Sequence, residues 1–334
     1  MSLEITKRGL LATVQDMGRQ GYGKYGISGS GVMDRNAYRL ANWLAGNRGN
    51  EAVIEITWSG FSVKFTEDTL ISIAGADLGP ESGGIPVPMW RPVFMRRGSD
   101  LTFKRPVSGC RSYLAVHGGI DVPEVMGSRS TYLRAGIGGL KGRALESGDV
   151  LRATSDTAKL CWTIPDGVNF RSVKWSAAPR HADGYAQQTV RVTRGRQAED
   201  FLDSAIGLFF EGEYRVKPES DRMGYRLSGP ALPLKTPREY VSEGVTAGTV
   251  QVPADGQPII LMADRQTLGG YPKIAQVASV DLPLVAQMPP RGVIRFREIS
   301  QAESELLYVE QEHRMQRLKR MIDWKLKEEF HANH

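Results

Sequence analysis

The residues of this chain best suited to chemistry are arginines, aspartates and hydroxyls set in glycine-rich segments. The densest run is Asp264-Arg265-Gln266-Thr267-Leu268-Gly269-Gly270-Tyr271-Pro272-Lys273, which begins where the apolar run Ile259 to Ala263 ends. Polar groups delivered by a loop from the end of a buried strand are a common way to mount a site on a rigid scaffold. Gly127-Ser128-Arg129-Ser130-Thr131 sets three hydroxyls around one guanidinium, a composition suited to phosphate or carboxylate. Gln15, Asp16, Gly18 and Arg19 form a third segment, and Gly29-Ser30-Gly31-Val32-Met33-Asp34-Arg35 a fourth. Glycine in such turns lets the backbone approach a ligand and point its N–H groups at an anion. Each segment also has a plainer reading. Asp16 and Asp34 would cap turns, the 127–131 loop would be solvated, and Gly269-Gly270-Tyr271-Pro272 would be a tight turn.

Several familiar chemistries are excluded. No Gly-x4-Gly-Lys-Ser/Thr phosphate loop occurs, and Gly138 to Arg143 lacks both its spacing and its terminal hydroxyl. No His-Glu-x-x-His occurs among the five histidines. Cys110 and His117 lie seven apart along an expected strand, which puts their side chains on opposite faces, so a buried thiol is expected rather than a nucleophile. Two cysteines are too few for a disulfide framework or a thiolate zinc site. The net charge of +6 comes from scattered basic residues with no aromatic-interleaved stripe. A small anionic substrate accounts for it, and a nucleic-acid partner is not expected. No apolar run approaches the roughly 18 residues of a membrane span, and Met1 to Ile5 has no signal-peptide character. A soluble cytoplasmic protein is therefore expected.

The elements that must position these residues are mostly short strands. Leu70–Ala74, Ser112–Val116, Thr189–Val192 and Pro258–Ala263 are brief runs bounded by Gly, Pro and Asp, as in barrels and sandwiches. Arg35 to Asn47 instead has helical spacing, with Ala37, Leu40, Ala41 and Leu44 on one face and Asp34 as N-cap. Asp34-Arg35-x-x-Tyr38-Arg39-Leu40 recurs as Asp221-Arg222-x-x-Tyr225-Arg226-Leu227, an offset of 221 − 34 = 187. Val53-x-Glu55 matches Val241-x-Glu243 at 188, and Gly83-Gly84-x-Pro86 matches Gly269-Gly270-x-Pro272 at 186. These offsets predict two related barrel-like halves whose equivalent positions include Tyr38 and Tyr225, with the active surface where they meet. The predicted boundaries are 1–185, 186–299 and 300–334, with Thr154 to Gln188 as the connection. In the last segment Ser300-x-x-Glu303 is a capping box, and 302–330 holds neither Gly nor Pro. Its early acids and later bases follow the order the helix dipole favours. Leu307, Met315, Leu318, Ile322 and Leu326 form a narrow apolar stripe. That stripe is expected to dock on the chain's own barrel, with partner binding as the alternative.

Seven motifs in order carry a resemblance. Gly9-Leu10-x-x-Thr13-Val14-Gln15-Asp16-x-Gly18-Arg19, Met33-Asp34-x-x-Ala37, Ala41-Asn42, Gly127 to Thr131, Ser220-Asp221-Arg222-Met223-Gly224, Gln251-Val252-Pro253-x-Asp255-Gly256 and Gln266-Thr267-x-Gly269-Gly270-Tyr271-Pro272 resemble the biotin-dependent carboxyltransferase-like family. That family is also called allophanate hydrolase subunit 2-related, or KipI antagonist, and the likeness is to its stand-alone form, the C component of 5-oxoprolinase. The resemblance spans residues 3 to 300. It implies a mainly β fold of two cyclophilin-like β-barrel domains from an internal duplication, with the long C-terminal helix as an addition. It also implies opening of 5-oxoproline to L-glutamate with ATP hydrolysis, performed with two partners, the KipI-like B component and the A component of the same enzyme.

A lactam is a poor electrophile, so phosphorylating its oxygen before water attacks is a sensible use of ATP, and cations must steady the moving phosphoryl group. On this reading Asp34, Arg35, Asp221, Arg222 and Asp264 are the catalytic candidates. The three aspartates would be bases or ligands of Mg2+, although no motif assigns a metal set. Gln15, Arg19, Ser128, Arg129, Ser130, Gln251, Gln266, Thr267, Gly269, Gly270, Tyr271 and Lys273 would bind substrate or ATP. Loss of Arg222 is expected to remove turnover and spare folding. Fused relatives transfer a carboxyl group from carboxybiotin to urea, but this chain has no biotinyl carrier segment, so biotin is not expected. The other reading the resemblance carries is regulatory, with the chain binding the B-type partner and relieving inhibition of a sporulation histidine kinase.

Overall fold

The structure is a computed structural model that describes residues 2–154, 164–178 and 189–331. Cys161 and most of the expected connection between halves lie outside those residues. Two compact units emerge. One comprises Met1–Gly18, Asp34–Gly184 and Arg314–His334, the other Arg19–Met33 and Tyr185–His313. This division differs from the contiguous boundaries at two places, since the Arg19–Met33 loop belongs with the second unit and the end of the chain with the first.

In the first unit the strands form two antiparallel sheets. One has the order Ile120–Asp121, Val150–Ala153, Ser2–Arg8, Phe61–Phe65, Asp100–Phe103, Pro80–Ser82, Ile85–Pro86. The other runs Phe170–Ser172, Pro92–Met95, Thr69–Asp77, Ser108–Val116, Val53–Thr57, Leu11–Gln15. Alternation sets their faces. Leu3 and Ile5 pair with Phe65 and Val63, all four in the core, while neighbouring Glu4 and Lys64 point outward. Helix α1 (Arg35–Leu44) lies in this unit with Ala37, Leu40, Ala41 and Leu44 buried, as its spacing predicts.

The second unit is a closed barrel. Its seven strands run in ring order Thr189–Arg194, Lys273–Val277, Thr249–Gln251, Ile259–Leu261, Gly224–Ser228, Tyr214–Val216, Val293–Glu298. Thr189–Arg194 and Val293–Glu298 pair in parallel, and the other pairings are antiparallel. Closure leaves no edge strand to protect. Helix α2 (Asp203–Glu211) adds Phe209, stacked on Phe296 at 4.4 Å between ring centroids, and α3 (Leu282–Ala286) adds Val285 and Ala286.

Helix α4 (Gln301–His331) completes the described chain. Ser300 Oγ accepts the Glu303 N–H at 3.1 Å as the capping box predicts, while the Glu303 carboxylate turns to Arg297 at 3.5 Å. Met315, Ile322 and Leu326 are buried, and Leu307 packs against the small cluster of Ala278, Val280 and Ile299. Four of the five predicted stripe residues are thus covered by the chain itself, and Leu318 is half-buried.

The repeat needs correction. Asp34 to Leu40 is the N-cap and first turns of α1, whereas Asp221 to Leu227 is a turn entering the strand Gly224–Ser228. Tyr38 therefore stands on a helix and Tyr225 on a strand, and they are not equivalent positions. The likeness between the two segments is local. Asp34 Oδ1 accepts the N–H groups of Asn36 and Ala37, and Asp221 Oδ1 those of Met223 and Gly224. One aspartate turn starts both. The continuations then diverge, because Gly224 to Arg226 pairs with Ile259–Leu261 while the helix formers after Asp34 have a turn to propagate.

Candidate functional site

In the first unit, Ser128, Arg129 and Ser130 converge on one carboxylate. Asp16 lies just past the strand Leu11–Gln15. Its Oδ1 accepts the Ser128 and Ser130 hydroxyls at 2.6 Å each and the Gly18 N–H at 2.8 Å, while Oδ2 accepts the Arg129 N–H at 2.5 Å. The Asp16 N–H in turn donates to Ser130 Oγ at 2.9 Å. Two of the three hydroxyls that sequence offers to an external anion are thus turned onto the chain's own anion, and the third, on Thr131, donates to the Val14 carbonyl at 3.0 Å. The Arg129 guanidinium faces Glu124 at 3.4 Å. Gln15 is fully buried, donating to Thr13 and to the Thr131 carbonyl, while its Oε1 meets no donor among the described residues. Asp34 is the N-cap of α1, and its own N–H donates to the Tyr113 hydroxyl at 2.7 Å. Burial, followed by Glu55 and Asp34, pushes the Tyr113 pKa well up, which keeps that hydroxyl neutral. Arg35 is exposed on the first turn of the helix.

In the second unit the centre is a buried ion pair. Arg222 donates from Nε to Asp264 Oδ2 and from Nη2 to Asp264 Oδ1, both at 3.0 Å, and again from Nη2 to the Gly31 carbonyl. The two side chains are only 5% and 6% exposed. Ser30 adds its hydroxyl to Asp264 Oδ1 at 2.6 Å, and the backbones join through Asp264 N–H to Arg222 O at 2.8 Å. Ser30 holds φ at 52°, a left-handed conformation that costs a non-glycine residue about 1–3 kcal/mol and persists only where surroundings impose it. Arg222 is thus a buried cation matched by a core carboxylate. Arg19 is buried in the same unit, its N–H on the Gly29 carbonyl at 2.6 Å.

The 264–273 loop is locked from within. Leu268–Gly269 pairs with Glu243–Gly244, and the Val245 N–H donates to the Thr267 carbonyl at 3.1 Å. Lys273 is buried. Its Nζ donates to the carbonyls of Gly269 and Tyr271 at 3.2 Å each and meets Glu243 at 2.9 Å. Lys273 first, and then Gln197, hold the Glu243 carboxyl below the usual carboxylate range. Gln251 lies beneath Gly269, its Nε2 without an acceptor among the described residues and its Oε1 taking the Gln266 amide at 3.4 Å. A Cβ on Gly269 would stand 2.3 Å from that Nε2, so any larger residue there displaces the glutamine amide.

Beside this loop the second unit has a cleft of about 580 Å³, within the range of small-molecule sites. Two of the sequence motifs, Val252 to Gly256 and Gly270 to Pro272, supply part of its wall, with Leu232 and Tyr240 among the residues facing them. Tyr240 and Arg238 hold Asp200, the tyrosine at 3.1 Å. The segment 231–240 was missed by the sequence reading, because its Pro, Arg and Tyr match no motif. Tyr271 is half exposed in the cleft and Thr267 lies in the adjoining turn.

No group of three or more His, Cys, Asp or Glu side chains suited to a metal ion occurs among the described residues. The three aspartates proposed as Mg2+ ligands do not fit one, since Asp34 and Asp221 cap turns and Asp264 is bridged by Arg222. Also among the described residues, no helix is long and apolar enough to cross a membrane.

Comparison with known proteins agrees with the architecture. The chain is 40% identical over 307 residues to the C component of 5-oxoprolinase from Escherichia coli, covering 90% of this chain and 93% of that one. It is 36% identical over 314 residues to the C component of 5-oxoprolinase from Haemophilus influenzae, covering 94% and 96%. The crystal structure of Kluyveromyces lactis urea carboxylase superposes with a TM-score of 0.85 at 30% identity, over 95% of this chain and 29% of that one. Residues 25–298 match the family described as carboxyltransferase domain, subdomain A and B. With this match, the closed barrel and the near end-to-end likeness to two 5-oxoprolinase C components, the chain belongs to the carboxyltransferase-domain family, subdomains A and B.

Proposed function

We propose that this chain is the C component of a 5-oxoprolinase, contributing to ATP-dependent opening of 5-oxoproline to L-glutamate alongside the A and B components. The observation that carries this reading is coverage. The two 5-oxoprolinase relatives match over more than nine-tenths of their own length, whereas the Saccharomyces cerevisiae urea amidolyase matches over 17% of its length. Site chemistry supports a shared centre. The buried cations Arg222 and Lys273 are neutralised by Asp264 and Glu243. Fixed donors act strongly only where water is excluded, and docked partner components would supply that closure. Within this chain the cleft over Val252 and Tyr271 would receive the substrate ring, and the 264–273 loop would set its wall.

The test is glutamate formation from 5-oxoproline and ATP by the purified components. The three together should turn over and this chain alone should not. Turnover by the isolated chain would overturn the shared centre, and no turnover by the three would overturn the assignment. The likeness to urea carboxylase favours carboxyl transfer as a second reading. Carboxybiotin-dependent carboxylation of urea by the chain would establish it.

A further inference from the structure

Helix α4 has a second face. At about 100° per residue, Leu306, Val309, His313, Arg317, Met321 and Trp324 fall within roughly 120° of one another, on the side away from buried Met315, Ile322 and Leu326. Its four apolar members are exposed by 59%, 47%, 63% and 56% in chain order. Single exposed apolar residues are ordinary, but four in register on one helix face form a seam. The seam is also symmetric in position. Leu306 and Trp324, Val309 and Met321, and His313 and Arg317 each lie equally far from Met315 along the chain.

Charge breaks that symmetry in a complementary way. Residues 301–313 hold four glutamates and no Lys or Arg, whereas 314–329 hold six Lys and Arg against three acids. A parallel pair of such helices would set like charges side by side. An antiparallel pair sets each acidic half along a basic half, and Glu310 then falls near the partner copy's Arg317 on the same flank, twice by symmetry. We propose that this face of α4 is a self-association surface, joining two copies antiparallel about a two-fold axis at the level of Met315. One helix pair with a seam about 27 Å long is small beside the roughly 800 Å² per partner of a standard interface, so the dimer forms reversibly with concentration.

The test is sedimentation of the full chain over a dilution series. The wild type should shift from monomer to dimer as concentration rises. Met321→Glu combined with Trp324→Glu should stay monomeric with an unchanged melting temperature, because both side chains are exposed. Glu310→Arg and Arg317→Glu should each weaken the dimer, and an equimolar mixture of those two variants should restore it. Three results overturn the proposal: a wild type that is monomeric throughout, including one whose α4 face binds only a different protein; a dimer indifferent to the Met321 and Trp324 changes; or a mixture that associates no better than its components.

Discussion

Arg222→Ala should destabilise the second unit severely. The arginine makes two charge-assisted bonds to Asp264 at 3.0 Å, and both side chains are almost wholly buried. Bonds of this kind are worth about 1.5–3 kcal/mol each, and breaking a buried pair by removing one partner costs about 3–5 kcal/mol, because the other charge is stranded. At about 2–4 °C per kcal/mol for a domain of this size, the melting temperature should fall by about 6–20 °C. Asp264→Ala should cost at least as much, since it also strips the acceptor that holds Ser30 at its positive φ. The double variant should cost less than the sum of the singles, with a coupling of about 2–3 kcal/mol from a double-mutant cycle in urea. Arg222→Lys should recover little, because an ammonium cannot make the bidentate contact. Activity should fall in step with the folded fraction. Arg222→Ala with wild-type melting and no coupling to Asp264, but with turnover gone from the assembled enzyme, would refute the structural role and return the arginine to chemistry.

Other outcomes rest on the same kinds of contact. Asp16→Ala removes the acceptor of four donors, so it should destabilise the first unit by more than Ser128→Ala, which loses two bonds, one to Asp16 and one from the Ser130 N–H, worth about 1 kcal/mol each; chemical denaturation gives both values. Gly269→Ala should force Gln251 aside, and adding Gln251→Ala should recover part of the lost stability; strict additivity would contradict the 2.3 Å approach. Because the Glu243 pKa is depressed in the fold, its stabilisation of the 264–273 loop is present above the ordinary carboxylate range and is lost as pH falls through the lowered value. Hydrogen exchange at the Val245 amide should accelerate there once corrected for intrinsic rate, and Glu243→Gln should abolish that pH dependence. Ala254→Trp, on the exposed rim of the cleft, should lower turnover of the assembled enzyme while leaving melting unchanged.

Sequence alone determined the features whose causes are local. α1 comes from Asp34 and the spacing of Ala37, Leu40, Ala41 and Leu44, and α4 from a capping box ahead of a long stretch free of Gly and Pro, because capping and side-chain periodicity act within a turn or two. Strand content was legible from short apolar runs between turn residues, and seven ordered motifs sufficed for the family. The repeat misled for a related reason, since an aspartate turn is a local device that serves a helix and a strand equally well. Tertiary structure alone decided what the polar residues do. Arg222 and Asp264 lie 42 residues apart, Ser128 is 112 from Asp16, and Ser30 is 234 from Asp264. No spacing rule links such positions. They meet because closing the barrel and pairing the sheets bury them together, and a charge taken from water must find its counter-charge or donors wherever the fold has put them.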